Sequence, residues 1–121
     1  MNKYSNRSLK RLESCHSDLQ EIMHEAIKVM DITILCGHRD EETQNKAYDK
    51  GASLAKWPES EHNEMPSNAV DAAPYPVNWK DTERFARMAG IIEGIAHSKK
   101  IPIKWGGDFK NLKDMPHFQR A

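Results

Sequence analysis

The sequence predicts a small α+β domain with a mainly antiparallel sheet. Segments with apolar residues at the three- and four-residue spacing of amphipathic helices are interspersed with short, strand-like segments. Helices and short strands in this mixed order are typical of the α+β class. The chain has 121 residues, which suits one compact domain covering residues 1–121 and leaves little room for a second core.

Three segments are predicted to be helical. Across residues 9–30, apolar residues recur every three or four positions, as on the buried face of an amphipathic helix. Asp40 stands where it can cap a second helix, "EETQNKAYDK", which Gly51 closes. A third helix begins at Asn78 or Asp81. Its shared apolar face comprises Phe85, Met88, Ala89, Ile92, Ile95 and Ala96.

Four short segments are predicted to be strands: "DITILCG", "NAVDAA", "IPIKW" and "HFQ". The turn "GGDFKNLKD" separates the last two. Residues 52–67 contain two prolines and many polar residues, so they are predicted to form a long loop. Loops of this length inside a small domain are commonly functional, which makes this loop a candidate part of a site.

Composition excludes several classes of function. Eighteen basic and eighteen acidic side chains cancel, so no overall field steers the protein toward nucleic acid or an anionic membrane. No apolar run approaches the roughly 20 residues that cross a bilayer. The N-terminal "MNKYSNRSLKRLESCH" lacks an apolar signal core, so we expect synthesis in the cytosol. Cys15 and Cys36 lack a C-x-x-C spacing and are expected to be small buried residues.

The six histidines fall into two groups. Three lie in predicted helices and are expected at the surface or at its boundary: His16, His24 and His97. The other three lie at loop or strand ends, where functional groups concentrate: His38, His62 and His117. The second group therefore contains the candidates for chemistry.

A possible metal site combines this second group with two aspartates. Asp114 and His117 flank "MP" at the mouth of the last predicted strand. If the strand of Asp71 pairs with that of His117, both side chains can face one way, and His62 can complete three ligands from its loop. Two histidines and one carboxylate suit Zn²⁺ with a fourth position open to water. A hydrogen-bonded histidine beside a turn aspartate is the alternative.

Several separated segments, in this order, resemble the VanY-like and phage endolysin peptidases of the M15 metallopeptidase family. They are "SEH" at 60–62, "AVDAAPY" at 69–75, "WGGDF" at 105–109 and "DMPHFQ" at 114–119. Upstream, "GHRDEETQNKAY" resembles the family's G-x-R-x-x-x-x-Q segment. The resemblance covers over two-thirds of the chain, and it implies a Hedgehog/DD-peptidase-like α+β fold.

The resemblance also implies the roles of individual residues. His62, Asp71 and His117 correspond to the ligands of one Zn²⁺ per chain, and Asp114 to the catalytic base. Arg39 corresponds to a cation for a substrate carboxylate or a developing oxyanion. The family acts on the stem peptides of peptidoglycan.

Three further residues are weaker candidates for binding substrate or supporting the site. Gln44 can support the substrate or Arg39, or it can be an exposed helix residue. Ser60 can orient His62, or it can form a simple turn. Trp105 can line the cleft, as can Phe109, or both can pack at the edge of the core.

The loop between two of the candidate ligands departs from the commoner family pattern. That pattern has six residues between the ligands, whereas eight, "NEMPSNAV", separate His62 from Asp71. A change in loop length costs little free energy, so the strand register of Asp71 can be kept. Glu64 in this loop becomes a possible extra polar group near the metal.

Among the family's activities, the resemblance favours a phage endolysin that cleaves the L-alanyl-D-glutamate bond. Such a monomeric enzyme is made in the host cytoplasm and reaches the periplasm and cell wall when a holin releases it. A D-alanyl-D-alanine carboxypeptidase is the first alternative, although it would normally need an export signal. A non-catalytic zinc-dependent wall-binding module is the second, but such a module has no use for Asp114 as a base.

Overall fold

The computed structural model describes residues 2–110 and 113–121 of the chain. Its helices are α1 (Asn6–Glu13), α2 (Ser17–Ala26), α3 (Glu41–Asp49) and α4 (Thr82–Ser98). Its strands are β1 (Ile32–Cys36), β2 (Ala69–Pro74), β3 (Ile103–Trp105) and β4 (His117–Arg120). Single 3₁₀ turns cover Glu61–Asn63 and Gly106–Asp108. The predicted α+β class is confirmed, while residues 111 and 112 of the predicted turn lie outside the described residues.

The prediction of one continuous first helix is wrong, because this segment forms two helices. The chain leaves helical geometry around Cys15, where residues on either side of it form backbone hydrogen bonds with Ser67 instead. The N–H of Ser67 donates to Ser14 (2.8 Å), and its carbonyl accepts from His16 (2.9 Å). The ring of His16 then caps α2 by accepting from the N–H of Asp18. A tertiary contact thus replaces the continuous helix that periodicity predicts.

The other two predicted helices are confirmed, with ends set by their caps. Asp40 caps α3 by accepting from the N–H of Thr43, and Gly51 follows that helix with a positive φ of 76°. Asp81, and not Asn78, caps α4. No helix in residues 2–110 or 113–121 combines the length and apolarity needed to cross a membrane.

The four strands form one antiparallel sheet in the order β1-β2-β4-β3. Strand β2 is central, and all six of its residues are buried. Asp71 pairs with His117 of β4 on one side and with Cys36 of β1 on the other. The register shifts between Ile34 and Cys36, which marks a β-bulge in β1.

The apolar core positions the sheet that carries the site. Helix α4 packs on α2 and β2, and α1 packs on β1. Val70 and its cross-strand partner Phe118 are buried in this core. Because side chains alternate along a strand, the neighbouring pair Asp71 and His117 points to the opposite face. The buried pair therefore fixes the register that brings the polar pair together.

Candidate metal centre and active site

Three side-chain atoms, from His62, Asp71 and His117, lie close together beside the sheet. Asp71 Oδ1 lies 3.1 Å from His62 Nε2 and 3.1 Å from His117 Nδ1. The two ring nitrogens lie 3.2 Å from each other. All three residues are buried. The structure therefore brings together the three residues that the sequence resemblance implies as ligands.

His62 reaches this point because its loop segment is tightly held. The hydroxyl of Ser60 accepts from the N–H of His62 (3.2 Å), and the side chain of Asn63 accepts from the N–H of Ser60 (2.9 Å). The carbonyl of His62 also accepts from the N–H of Arg39 (2.8 Å). Ser60 therefore acts as a cap on the backbone of His62, and its hydroxyl contacts that backbone and not the imidazole.

The outer hydrogen bonds of the two histidines determine where their protons lie. Nδ1 of His62 is 2.7 Å from the carbonyl oxygen of Gly37, and Nε2 of His117 is 2.8 Å from the amide oxygen of Gln119. Both oxygens only accept, so these two nitrogens carry hydrogens. In the neutral rings, the inner nitrogens then direct lone pairs toward Asp71 Oδ1. Three acceptors facing one another require a cation between them.

The donor set and its spacing fit Zn²⁺. Imidazole nitrogen and carboxylate oxygen are common zinc ligands, and tetrahedral bonds of about 2.0–2.1 Å separate ligand atoms by about 3.3 Å. The three observed separations are 3.1, 3.1 and 3.2 Å. Hydrogen bonds to the outer nitrogens are also the usual means by which proteins orient histidine ligands. The residues present can therefore hold such an ion.

The ionisation of the cluster agrees with this need for a cation. Burial raises the pKa of Asp71, but hydrogen bonds with His117 and His62 outweigh it and hold that pKa well below its usual range. Burial lowers the pKa of His62, but hydrogen bonds with Asp71 and Cys36 outweigh it and raise that pKa to about 10. In the metal-free protein, a proton on His62 therefore supplies the positive charge.

Asp114 lies beside the cluster without being part of it. Its Oδ2 is 3.9 Å from His117 Nδ1, and its side chain is 38% exposed. The backbone is fixed, because the N–H of Asp114 donates to Gly106 and its carbonyl accepts from His117. Burial, followed by the charge of Asp71, raises the pKa of Asp114. A carboxylate held near the cluster yet open to solvent has the geometry of a general base.

Arg39 contacts the cluster through the second carboxylate oxygen of Asp71. Its Nη2 donates to Asp71 Oδ2 (3.1 Å), which leaves Oδ1 to face the histidines. Its Nη1 donates to Gln44 (3.3 Å) and its Nε to the sulfur of Cys36 (3.3 Å). Gln44 is fully buried, so the exposed-helix alternative for that residue is wrong. Arg39 therefore orients the Asp71 carboxylate as well as lining the surrounding clefts.

Cys36 lies near the site, although the sequence analysis expects it to be only a small buried residue. The bulge in β1 makes it the cross-strand partner of Asp71, and its donor atom groups with those of His62 and Asp71 within 4.8 Å. A second group of possible metal donors comprises Asp71, Asp114 and His117. The expectation that both cysteines are buried is confirmed for Cys15 and wrong for Cys36, which is only partly buried. Its position next to the G-x-R segment was the one available signal.

The remaining candidates, two aromatic residues and Glu64, differ in what they contact. The indole N–H of Trp105 donates to the carbonyl of Met115 (2.7 Å), and its ring packs at the edge of the core. Phe109, by contrast, lines a cleft, with its ring centroid 5.6 Å from that of His117. Glu64 is exposed, and its carbonyl contacts the ring of His38 (3.0 Å).

Two clefts meet at the cluster. Both are lined by Arg39, Ala52 and Asp114. One has a volume of about 250 Å³ and extends past His62 toward residues that include Leu54, Glu59, Glu61 and Phe109. The other has a volume of about 400 Å³ and extends past Asp71 toward residues that include Trp79, Phe85, Lys113 and Met115. An extended chain could thus pass the cluster on both sides.

The site resembles those of metal-dependent hydrolases. It combines two histidines and a buried aspartate with a nearby exposed carboxylate, and it lies where two clefts meet. Comparison with known proteins makes the class specific. Residues 1–120 match the family model described as phage L-alanyl-D-glutamate peptidase, so the chain belongs to that family. It is accordingly a peptidase of peptidoglycan.

A solved structure gives independent support for this fold. The chain is similar to the crystal structure of Serratia marcescens L-Ala D-Glu endopeptidase ChiX, with a TM-score of 0.84 and 28% sequence identity. The match covers 99% of this chain and 91% of that one. The sequence-based prediction of a peptidase of the L-alanyl-D-glutamate type is confirmed by both comparisons.

Proposed function

We propose that this peptidase depends on one zinc ion held by His62, Asp71 and His117, and that Asp114 is its catalytic base. The observation that carries the proposal is the triangle of two ring nitrogens and one carboxylate oxygen, 3.1–3.2 Å apart, with the outer nitrogen of each ring held by an oxygen atom. The bond cleaved is the amide between L-alanine and D-glutamate.

Each residue of the chain has a defined task in this mechanism. A zinc ion supplies Lewis acidity, which makes a nearby water acidic and polarises the carbonyl of the scissile amide. The free carboxylate oxygen of Asp114 takes the proton of the attacking water and delivers it to the nitrogen of the departing D-glutamate. The pKa of Asp114 is raised toward neutral pH, where one carboxyl group can both accept and donate a proton.

Arg39 has two roles in the proposal. It holds Asp71 Oδ2, so that Oδ1 keeps its orientation toward the histidines. Its guanidinium also lines both clefts, where its charge favours the α-carboxylate that a D-glutamate residue carries beside the scissile bond. Gln44 fixes Arg39 through Nη1 and therefore supports both roles.

The cellular route is also part of the proposal. Membership of a phage peptidase family supports synthesis in the host cytoplasm and release to the periplasm and cell wall through a holin. Action as a monomer is part of the same proposal. Expression in bacterial cells with and without a holin tests the route, because lysis should require the holin.

The decisive experiment separates metal binding from proton transfer. We expect Asp114→Asn to retain about one zinc per chain while cleavage of purified peptidoglycan falls by about 10²–10⁴-fold. His117→Ala should lose both zinc and cleavage. Asp108→Asn is the matched control, because Asp108 is an exposed carboxylate in the neighbouring turn and should behave like the wild type.

Metal content by mass spectrometry and the new termini of the digested peptides are the two readouts. New N-terminal glutamate identifies the proposed bond, whereas free D-alanine would identify the carboxypeptidase alternative. Wild-type cleavage by Asp114→Asn would remove Asp114 from the mechanism. Stoichiometric zinc in His117→Ala would remove His117 from the ligand set.

A further inference from the structure

Trp79 is a large aromatic side chain that is exposed and yet held in one orientation. It lies in the connection between β2 and α4, and 60% of its surface is exposed. Its ring stacks on that of Phe85, with centroids 5.5 Å apart and planes inclined by 18°. Phe85, a residue of α4, is itself buried in the apolar core of the domain. The indole therefore presents a fixed face to solvent.

The connection that carries Trp79 is also fixed at its backbone. The guanidinium of Arg84, in the first turn of α4, donates to the carbonyls of Tyr75 and Pro76, both at 3.0 Å. The side chain of Asn78 accepts from the N–H of Lys80 (3.1 Å). These hydrogen bonds hold the backbone before and after Trp79. The position of Trp79 is therefore set by the fold before any ligand binds.

Trp79 lines the larger of the two clefts, together with Asp71 and Asp114. The charges in that wall balance, since Arg39 and Lys113 stand against the two aspartates, and its other lining residues include Phe85, Met115 and Pro116. The smaller cleft has an excess of negative charge, because its lining includes the carboxylates of Glu59 and Glu61 as well as that of Asp114. The two clefts therefore suit chemically different halves of one substrate.

The substrate has two such halves. On the L-alanine side of the scissile bond, one residue and a lactyl ether lead to a muramyl sugar, whose ring begins about 7 Å from the scissile carbonyl in an extended chain. On the D-glutamate side, the peptide continues with carboxylates and the ammonium group of a diamino acid. The acidic cleft matches that ammonium, which leaves the aromatic cleft for the sugar side.

We propose that Trp79 is the platform on which the muramyl sugar of the glycan strand rests. The electron-rich face of an indole attracts the C–H groups of a sugar ring, and a ring held in place loses little entropy when the sugar binds. This inference rests on the proposed cleavage of the L-alanyl-D-glutamate bond. It adds the direction in which the substrate lies, with glycan over Trp79 and the diamino acid beyond His62.

The test compares two substrates that differ only in the group attached to the N-terminus of the peptide. One is a muramyl tripeptide, and the other is the same tripeptide with an N-acetyl group in place of the muramyl unit. For Trp79→Ala, we expect the ratio of kcat/KM for the two substrates to fall about tenfold. Trp79→Phe should recover part of the ratio. Tyr75→Ala is the matched control, because Tyr75 is 57% exposed in the same connection but lines neither cleft of the site.

A binding measurement keeps this test independent of catalysis. Muramyl-L-alanine, the expected product, is titrated into the wild type and Trp79→Phe while tryptophan fluorescence is recorded. A fluorescence change in the wild type that is much smaller in Trp79→Phe supports the platform even if neither substrate is cleaved, an outcome that would overturn only the proposed function. If Trp79→Ala loses activity equally on both substrates, the ratio of kcat/KM is unchanged and the platform is overturned. Identical fluorescence titrations of the wild type and Trp79→Phe would also overturn it.

Discussion

Replacing Gly106 with alanine tests whether the position of Asp114 limits catalysis. A Cβ at Gly106 would overlap the carbonyl oxygen of Asp114 and would lie 2.9 Å from the Cβ of His117. Neither atom can rotate away, because one is backbone and the other is the root of a side chain. The segment from Asp114 to His117 must therefore move, by about 1 Å if normal contact distances are to be restored.

The expected effect follows from that displacement. A shift of about 1 Å in a catalytic group can lower the rate about 10²-fold, and overpacking of this kind costs about 1–3 kcal/mol of stability. We expect kcat/KM of Gly106→Ala on a stem peptide to fall about 100-fold, with reduced zinc affinity. The free energy of unfolding, measured in urea, should fall by about 2 kcal/mol.

Gly90→Ala provides the control, because an added Cβ there has nothing within 4 Å. Gly90 lies inside α4, where alanine is a better helix former by about 0.5–1 kcal/mol, so this variant should be more stable and fully active. Wild-type activity and zinc affinity in Gly106→Ala would refute the reasoning, since the segment would then tolerate the added methyl group without displacement.

Two further predictions concern the metal centre and its support. The pKa of His62 is raised above its unfolded value, so its proton stabilises the metal-free fold below about pH 6.5 and this contribution is lost as pH rises through about 10. Zinc binding at pH 7.5 should thus release about one proton, measured calorimetrically in buffers of different ionisation enthalpy; no release would contradict the protonated state. Gln44→Ala should lose about 3 kcal/mol of stability in urea, because buried Gln44 donates to Ser53 (3.0 Å) and Ala55 (2.7 Å) and accepts from Arg39 and Asn63. The exposed Glu42→Ala on the same helix should change stability by less than about 0.5 kcal/mol, and equal effects would contradict the role of Gln44.

The sequence predicted those features of the fold that depend on local chemistry. Asp40, Asp81 and Gly51 mark helix ends because caps act through residues two or three positions away. The break in the first helix was missed, since it depends on hydrogen bonds to Ser67, about fifty residues further along the chain. The apolar periodicity of one segment gives no information about a hydrogen-bond partner so far along the chain.

The same division applies to the site. The motifs around His62, Asp71 and His117 identified three residues that the fold does bring together. They did not reveal that Arg39 holds the far oxygen of Asp71, or that a bulge turns Cys36 toward the same aspartate. Both facts depend on how β1 and β2 align, and the register of two strands is a property of the sheet and not of either segment.

The pairing of Asp71 with His117 also bears on how the chain reaches its native state. A slip of one residue between β2 and β4 would turn one of these side chains to the other face of the sheet. An ion that needs both residues, and His62 as well, can bind only the correct alignment. By mass action it would draw misaligned chains toward that alignment, so the metal that enables cleavage would also select the correctly folded enzyme.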